Sequence, residues 1–107
     1  MKSLSIPELH AACQSPKSDE IILDVRTPGE FAEGHVPGSK NIPFDQVMNH
    51  FESLQKYKKI YVYCRAGGRA TTACQILETM GAKNLLCVDD GGFPDWVESG
   101  FKVSTHG

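Results

Sequence analysis

The stretch Lys59-Ile60-Tyr61-Val62-Tyr63-Cys64-Arg65-Ala66-Gly67-Gly68-Arg69-Ala70-Thr71-Thr72-Ala73 constrains the fold more than any other part of the chain. Ile60 to Tyr63 is β-branched and aromatic, with no glycine or proline, and reads as a buried strand. From about Arg69 to Met80 the order is helical, with Ala70, Ala73, Ile76, Leu77 and Met80 on one face. Between them lies a tight turn holding Cys64, Arg65, Gly67, Gly68 and Arg69. A strand that ends in a short glycine loop and runs straight into a helix aims its loop N–H groups at one point. The helix N-terminus adds roughly half a positive charge there. Such a point attracts an anion, and the sulfur of Cys64 stands beside it.

The flanking chain repeats the strand–helix alternation. Ser5 caps a first helix with Pro7 in its first turn, ending before Ser15-Pro16. Glu20 to Val25 is a short apolar run, as in a parallel strand buried on both faces. Thr27-Pro28-Gly29 breaks it, and Glu30 to Glu33 makes one helical turn. Lys40 to Ile42 is a brief strand closed by Pro43. Phe44 to Leu54 reads as one helix, with Phe44, Val47, Met48, Phe51 and Leu54 on a stripe. Gly81 caps the helix that follows Cys64. Asn84 to Val88 is the last strand, and Asp89-Asp90-Gly91 forms a turn and N-cap for a short helix from Phe93 to Glu98. Alternation at this spacing implies right-handed crossovers and a parallel sheet with helices on both faces, an α/β architecture. Ligands of such sheets bind outside the carboxyl ends of the strands, where both Asp24 and Cys64 fall.

With 107 residues the chain has the length of one domain, 1–107. A net charge of −2, without a basic run, argues against a nucleic-acid surface. No apolar run approaches the roughly 20 residues of a membrane span. The stretch Met1 to Glu8 has no apolar core of a signal peptide, so the expected location is cytoplasmic. Cys13, Cys64, Cys74 and Cys87 are then expected as thiols, and their wide spacing makes no metal site. No metal, nucleotide or flavin motif is visible, so no cofactor is expected.

In the loop, a thiol at a helix N-terminus beside arginines tends toward thiolate. Gly67 and Gly68 let the backbone turn several N–H groups inward. Arg65 and Arg69 offer planar donors for a sulfonate or phosphate, with Arg65 facing substrate. Arg69 serves as a ligand or as a structural partner of Asp24, bracing the loop. Arg26 reads as a partner of nearby carboxylates. The constellation suits a nucleophilic cysteine and an anionic substrate. Of His10, His35, His50 and His106, only His35 lies on a loop that reaches this region, and it reads as a packing residue. A thiolate that is already ionised needs no base, which favours sulfur chemistry over a cysteine–histidine hydrolase. Cys74 and Cys87 read as core residues, and Trp96 as the anchor of the last helix.

These residues resemble those of a single-domain rhodanese, a thiosulfate sulfurtransferase. The resemblance rests on Leu23-Asp24-Val25-Arg26, on Glu30-Phe31-Ala32-Glu33-Gly34-His35-Val36-Pro37-Gly38-Ser39-Lys40-Asn41-Ile42-Pro43, on Val62 to Ala70, and on Gly91-Gly92-Phe93-Pro94-Asp95-Trp96. With the elements between these four motifs, which stand in order, the resemblance covers essentially all of the chain. The resemblance implies a three-layer fold with a five-stranded, mostly parallel sheet flanked by helices on both faces. It implies a persulfide on Cys64, loaded from a small sulfur anion such as thiosulfate and unloaded to cyanide, a thiol or a protein acceptor. Arg65, Ala66, Gly67, Gly68 and Arg69 match the loop that cradles the outer sulfur, with Asp24 and Arg26 in support. Ala66 is neutral where some members carry a cation. Related phosphatases of the Cdc25 type have a loop one residue longer; here the second arginine follows the cysteine by five positions, the short form. The alternatives are a persulfide carrier or regulatory module working with a protein partner, and a small phosphatase or arsenate reductase.

Overall fold

The computed structural model describes residues 1–106. Its centre is a five-stranded sheet: β1 (Lys2–Ser3), β2 (Glu20–Asp24), β3 (Lys40–Asn41), β4 (Lys59–Tyr63) and β5 (Leu85–Cys87). The spatial order is β1-β5-β4-β2-β3, and every pairing is parallel. Strand β4 is central, and Tyr63 sits opposite Asp24 of β2. The helices are α1 (Ile6–Cys13), α2 (Pro28–Glu33), α3 (Phe51–Leu54), α4 (Gly68–Thr79) and α5 (Phe93–Glu98).

The period of two along β4 decides which layer each residue joins. Ile60, Val62 and Cys64 face a core built with Val47, Leu54, Ala70, Ala73, Cys74 and Leu77. Tyr61 and Tyr63 face the other core, with Ile6, Leu9, Val36 and Trp96. Thus α3 and α4 cover one face, and α1 and α5 the other. Helix α1 begins as expected at Ser5, whose hydroxyl accepts from the Glu8 amide while Glu8 accepts from the Ser5 amide. Trp96 anchors α5, with its indole N–H donating to the Lys102 carbonyl.

Several expectations change. The segment Phe44–Leu54 is not one α-helix: Phe44–His50 winds as a 3₁₀ helix before α3. At three residues per turn Phe44 and Val47 align, and Met48 rotates outward to 48% exposure. Met80 also leaves the apolar face, because α4 stops at Thr79 and Gly81 takes a φ of +114° just beyond. The cap of α5 is Gly92, with the Asp95 carboxylate accepting the Gly92 amide, and neither Asp89 nor Asp90 caps it. Strand β1 had no sequence signal; two exposed residues pair with Leu86 and Cys87.

Candidate active site

Strand β4 delivers Cys64 to the carboxyl edge of the sheet, and the loop curls over it before α4 begins. The Gly67 amide donates to Cys64 Sγ at 3.1 Å and the Ala70 amide at 3.2 Å. The sulfur thus lies at the mouth of α4, under its first turn. Cys64 is only 1% exposed, while Arg65, Ala66 and Gly68 are exposed around it. The amides of Arg65, Ala66, Gly68 and Arg69 donate to no acceptor among the described residues, leaving four donors on the rim of the turn. Here an anion finds N–H groups with no other partner.

The turn depends on close backbone approach at two points. Gly67 has a φ of +100°, and a Cβ there would run into the Asp89 carbonyl. Gly92 lies against the other side, where a Cβ would collide with the carbonyls of Cys64 and Arg65. The Phe93 amide donates to the Cys64 carbonyl at 2.9 Å, so the start of α5 is bonded to the strand end that carries the sulfur.

The supporting charges pair differently from the expected Asp24–Arg69 bridge. That bridge is absent. Asp24 points with Tyr63 to one face of the sheet, while α4 and Arg69 lie on the other. The Asp24 carboxylate, wholly buried, accepts from the Arg26 amide, from Arg26 Nε and Nη2, and from the Tyr63 hydroxyl at 2.7 Å. Arg26 is therefore the carboxylate partner that the sequence suggested. Burial opposes its charge, but the Asp24 carboxylate outweighs that and holds its pKa above the ordinary value. Burial, then the Asp24 charge, pushes the Tyr63 hydroxyl up, which keeps it a donor to Asp24. The Arg26 guanidinium also lies 4.3 Å from the centre of the Phe93 ring.

Arg69 instead holds Glu30 of α2 through bonds of 2.7 and 3.1 Å. Hydrogen bonding from Arg69 drives the Glu30 carboxyl down to about 2. Glu30 is also the reciprocal capping residue of α2, accepting from the Thr27 amide. Arg65 makes no ion pair among the described residues and lines an open groove of about 460 Å³ beside Arg26 and Phe93.

His35 is structural: its ring is stacked on Phe31 and both nitrogens face backbone carbonyls, of Phe31 and His106. Cys74 and Cys87 are buried, as expected of core residues, and Cys13 is half-buried, with its thiol pushed up to about 11 by burial. Among the described residues no cluster of histidine, cysteine and carboxylate side chains is arranged to hold a metal ion. Glu30, Tyr63, Phe93 and Gly92 were not singled out as site residues from the sequence. The Thr27-Pro28-Gly29-Glu30 capping signature was a usable signal for Glu30.

The sequence model of the family described as Rhodanese-like domain matches residues 5–99. A sulfurtransferase of Allochromatium vinosum is 29% identical over 79% of this chain and 78% of its own length. Thiosulfate sulfurtransferase 16, chloroplastic, of Arabidopsis thaliana is 33% identical over 73% of this chain and 74% of its own. The crystal structure of a rhodanese-related protein from Thermoplasma volcanium superposes with a TM-score of 0.81 at 27% identity, covering 99% of this chain and all of that one.

Proposed function

The chain belongs to the rhodanese-like domain family, and from that membership we propose that it moves a sulfane sulfur from an anion such as thiosulfate to an acceptor through a Cys64 persulfide. The observation that carries the reading is the pair of amides on Cys64 Sγ beneath a rim of free loop donors. Hydrogen bonds to a charged group contribute about 1.5–3 kcal/mol each. A ring of them suits a sulfur that is negative before, during and after transfer, and the rim is the path by which a small anion reaches it.

In the first half-reaction the Cys64 thiolate attacks the outer sulfur of thiosulfate. A new S–S bond forms, the old one breaks, and sulfite leaves with the electron pair. The outer sulfur then carries the negative charge, in reach of the loop amides, with the Arg65 guanidinium beside the departing anion. In the second half-reaction an acceptor, cyanide or a thiolate, attacks that outer sulfur. The pair returns to Cys64, and no proton and no net oxidation is involved. Arg69, engaged with Glu30, steadies the loop from outside. Asp24, Arg26 and Tyr63 hold the strand ends beneath it.

Cyanolysis of thiosulfate should follow ping-pong kinetics, with parallel double-reciprocal lines. Cys64→Ala should lower turnover by on the order of a thousandfold or more. Turnover that survives in Cys64→Ala refutes the assignment. Loading of Cys64 without turnover on small acceptors identifies a carrier that delivers to a protein partner.

A further inference from the structure

We propose that His35 carries a proton on both ring nitrogens and, as an imidazolium, clamps the segment from Phe101 to His106 against the Gly34 corner. One wall of the groove beside Cys64 is then held at low pH and released as pH rises. The key juxtaposition is a buried imidazole with a backbone carbonyl oxygen on each of its nitrogens. The clamp stands apart from the sulfur-transfer reading, since the wall and its release belong to the fold alone.

His35 is 1% exposed. Nδ1 lies 2.8 Å from the Phe31 carbonyl oxygen, and Nε2 lies 3.0 Å from the His106 carbonyl oxygen. A carbonyl oxygen can only accept, and a neutral imidazole has one N–H and one lone pair. Either neutral tautomer therefore sets a nitrogen lone pair against an oxygen lone pair in a buried contact, which is costly. The imidazolium donates to both carbonyls. Its face also lies on the Phe31 ring, with centroids 3.6 Å apart and planes 8° from parallel. The charged and titratable groups on the surrounding elements are Glu30 and Glu33 on α2, Asp24 paired with Arg26, Tyr63 on β4, and Lys102 and His106 on the segment itself. None forms an ion pair with His35 among the described residues, so the two carbonyls and the Phe31 face hold the second proton.

The segment has no helix or strand of its own, only a bridge at Ser104. At its start Phe101 stacks on His10, and the Lys102 carbonyl accepts from the Trp96 indole at 2.7 Å. In its middle Ser104 exchanges two backbone bonds of 2.9 Å with His35. Past Ser104 the tie to the rest of the molecule is the His35 Nε2 bond to the His106 carbonyl; the Ser104 hydroxyl donates to the same oxygen but lies within the segment. Val103 sits between these ties. A Cβ on Gly34 would lie 3.0 Å from its Cγ1, and both residues line the groove with Arg26 and Arg65. The shorter bond, to Phe31 of α2, keeps its proton, so deprotonation takes the proton from Nε2. The bond to His106 then becomes a repulsion, and the Val103 wall loosens with it. A cation that gains partners in the fold holds them below its titration and loses them as pH rises through it.

The test uses the full chain at about pH 5.5 and about pH 9, on either side of the ordinary histidine titration at about 6.5. Nitrogen–proton NMR of the ring reads which nitrogens carry a proton. Hydrogen exchange reads the segment, as the protection of the Ser104 amide relative to an unstructured chain at the same pH, with the Val88 amide of the core as reference. The expected result is two N–H groups on His35 at the lower pH and one at the higher. Protection at Ser104 should fall about tenfold between them while that at Val88 stays within about twofold. His106→Gln removes the other titratable side chain of the segment but keeps the carbonyl, so the fall should persist there. His35→Gln should abolish it; if that variant does not fold, the parent and His106→Gln decide. A neutral His35 ring at the lower pH overturns the clamp. So does protection at Ser104 that is unchanged across the range, or a fall that disappears in His106→Gln.

Discussion

At the scale of the residue, the charges around Cys64 sort into two separate pairs. Asp24–Arg26 is buried and bidentate, and it is tied to Tyr63, the residue just before the sulfur. Glu30–Arg69 is partly exposed, at 28% and 29%. The second pair gives a pH signature. The carboxyl of Glu30 sits at about 2 in the fold, below its ordinary value of 4.5. Its stabilising contribution is therefore fully present above about pH 4.5 and is lost as pH falls toward 2. With solvent screening it is on the order of 1 kcal/mol. Glu30→Gln should lower urea stability by about that much near pH 7, and the gap to the parent should narrow steadily between pH 4.5 and 3. A gap that is constant down to pH 3 would show that the pair contributes no charge-dependent stability.

At the scale of the element, the unit that matters is β4, its turn and α4. Its presence in the sequence was plain, because Ile60–Tyr63 and Ala70–Leu77 carry two different periods with Gly67-Gly68 between them. What joins the turn to its neighbours was not plain. Gly92 and Asp89 press on it from the end of β5, and Glu30 reaches Arg69 across 39 residues of chain. No local pattern marks such contacts. The expected Asp24–Arg69 pair failed for a related reason: both residues reach the same sheet edge, but their faces are opposite. The 3₁₀ winding of Phe44–His50 was hidden because its apolar spacing also fits an α-helix. Gly67→Ala tests the turn. The substitution puts a side chain at φ +100° against the Asp89 carbonyl. It should cost about 1–3 kcal/mol of stability and displace the amide from the sulfur. Sulfur loading should fall at least tenfold in the folded fraction. Unaltered loading in a folded Gly67→Ala protein would mean that this amide is not needed.

At the scale of the whole molecule, the sheet separates two apolar cores and brings the ends of β2 and β4 to one edge. The alternation of elements was enough to place Asp24 and Cys64 on that edge. The two-residue β1 was not legible, because Lys2 and Ser3 are exposed and carry no apolar run. The architecture leaves Cys64 nearly inaccessible, with two loop amides on its sulfur, and the proposed transfer requires that sulfur to be the one that is loaded. Intact mass after treatment with thiosulfate tests this most directly. The expected result is a gain of one sulfur atom per chain, removed by cyanide and absent in Cys64→Ala, with Cys13, Cys74 and Cys87 still present. A gain that persists in Cys64→Ala, or no gain in the parent chain, contradicts it.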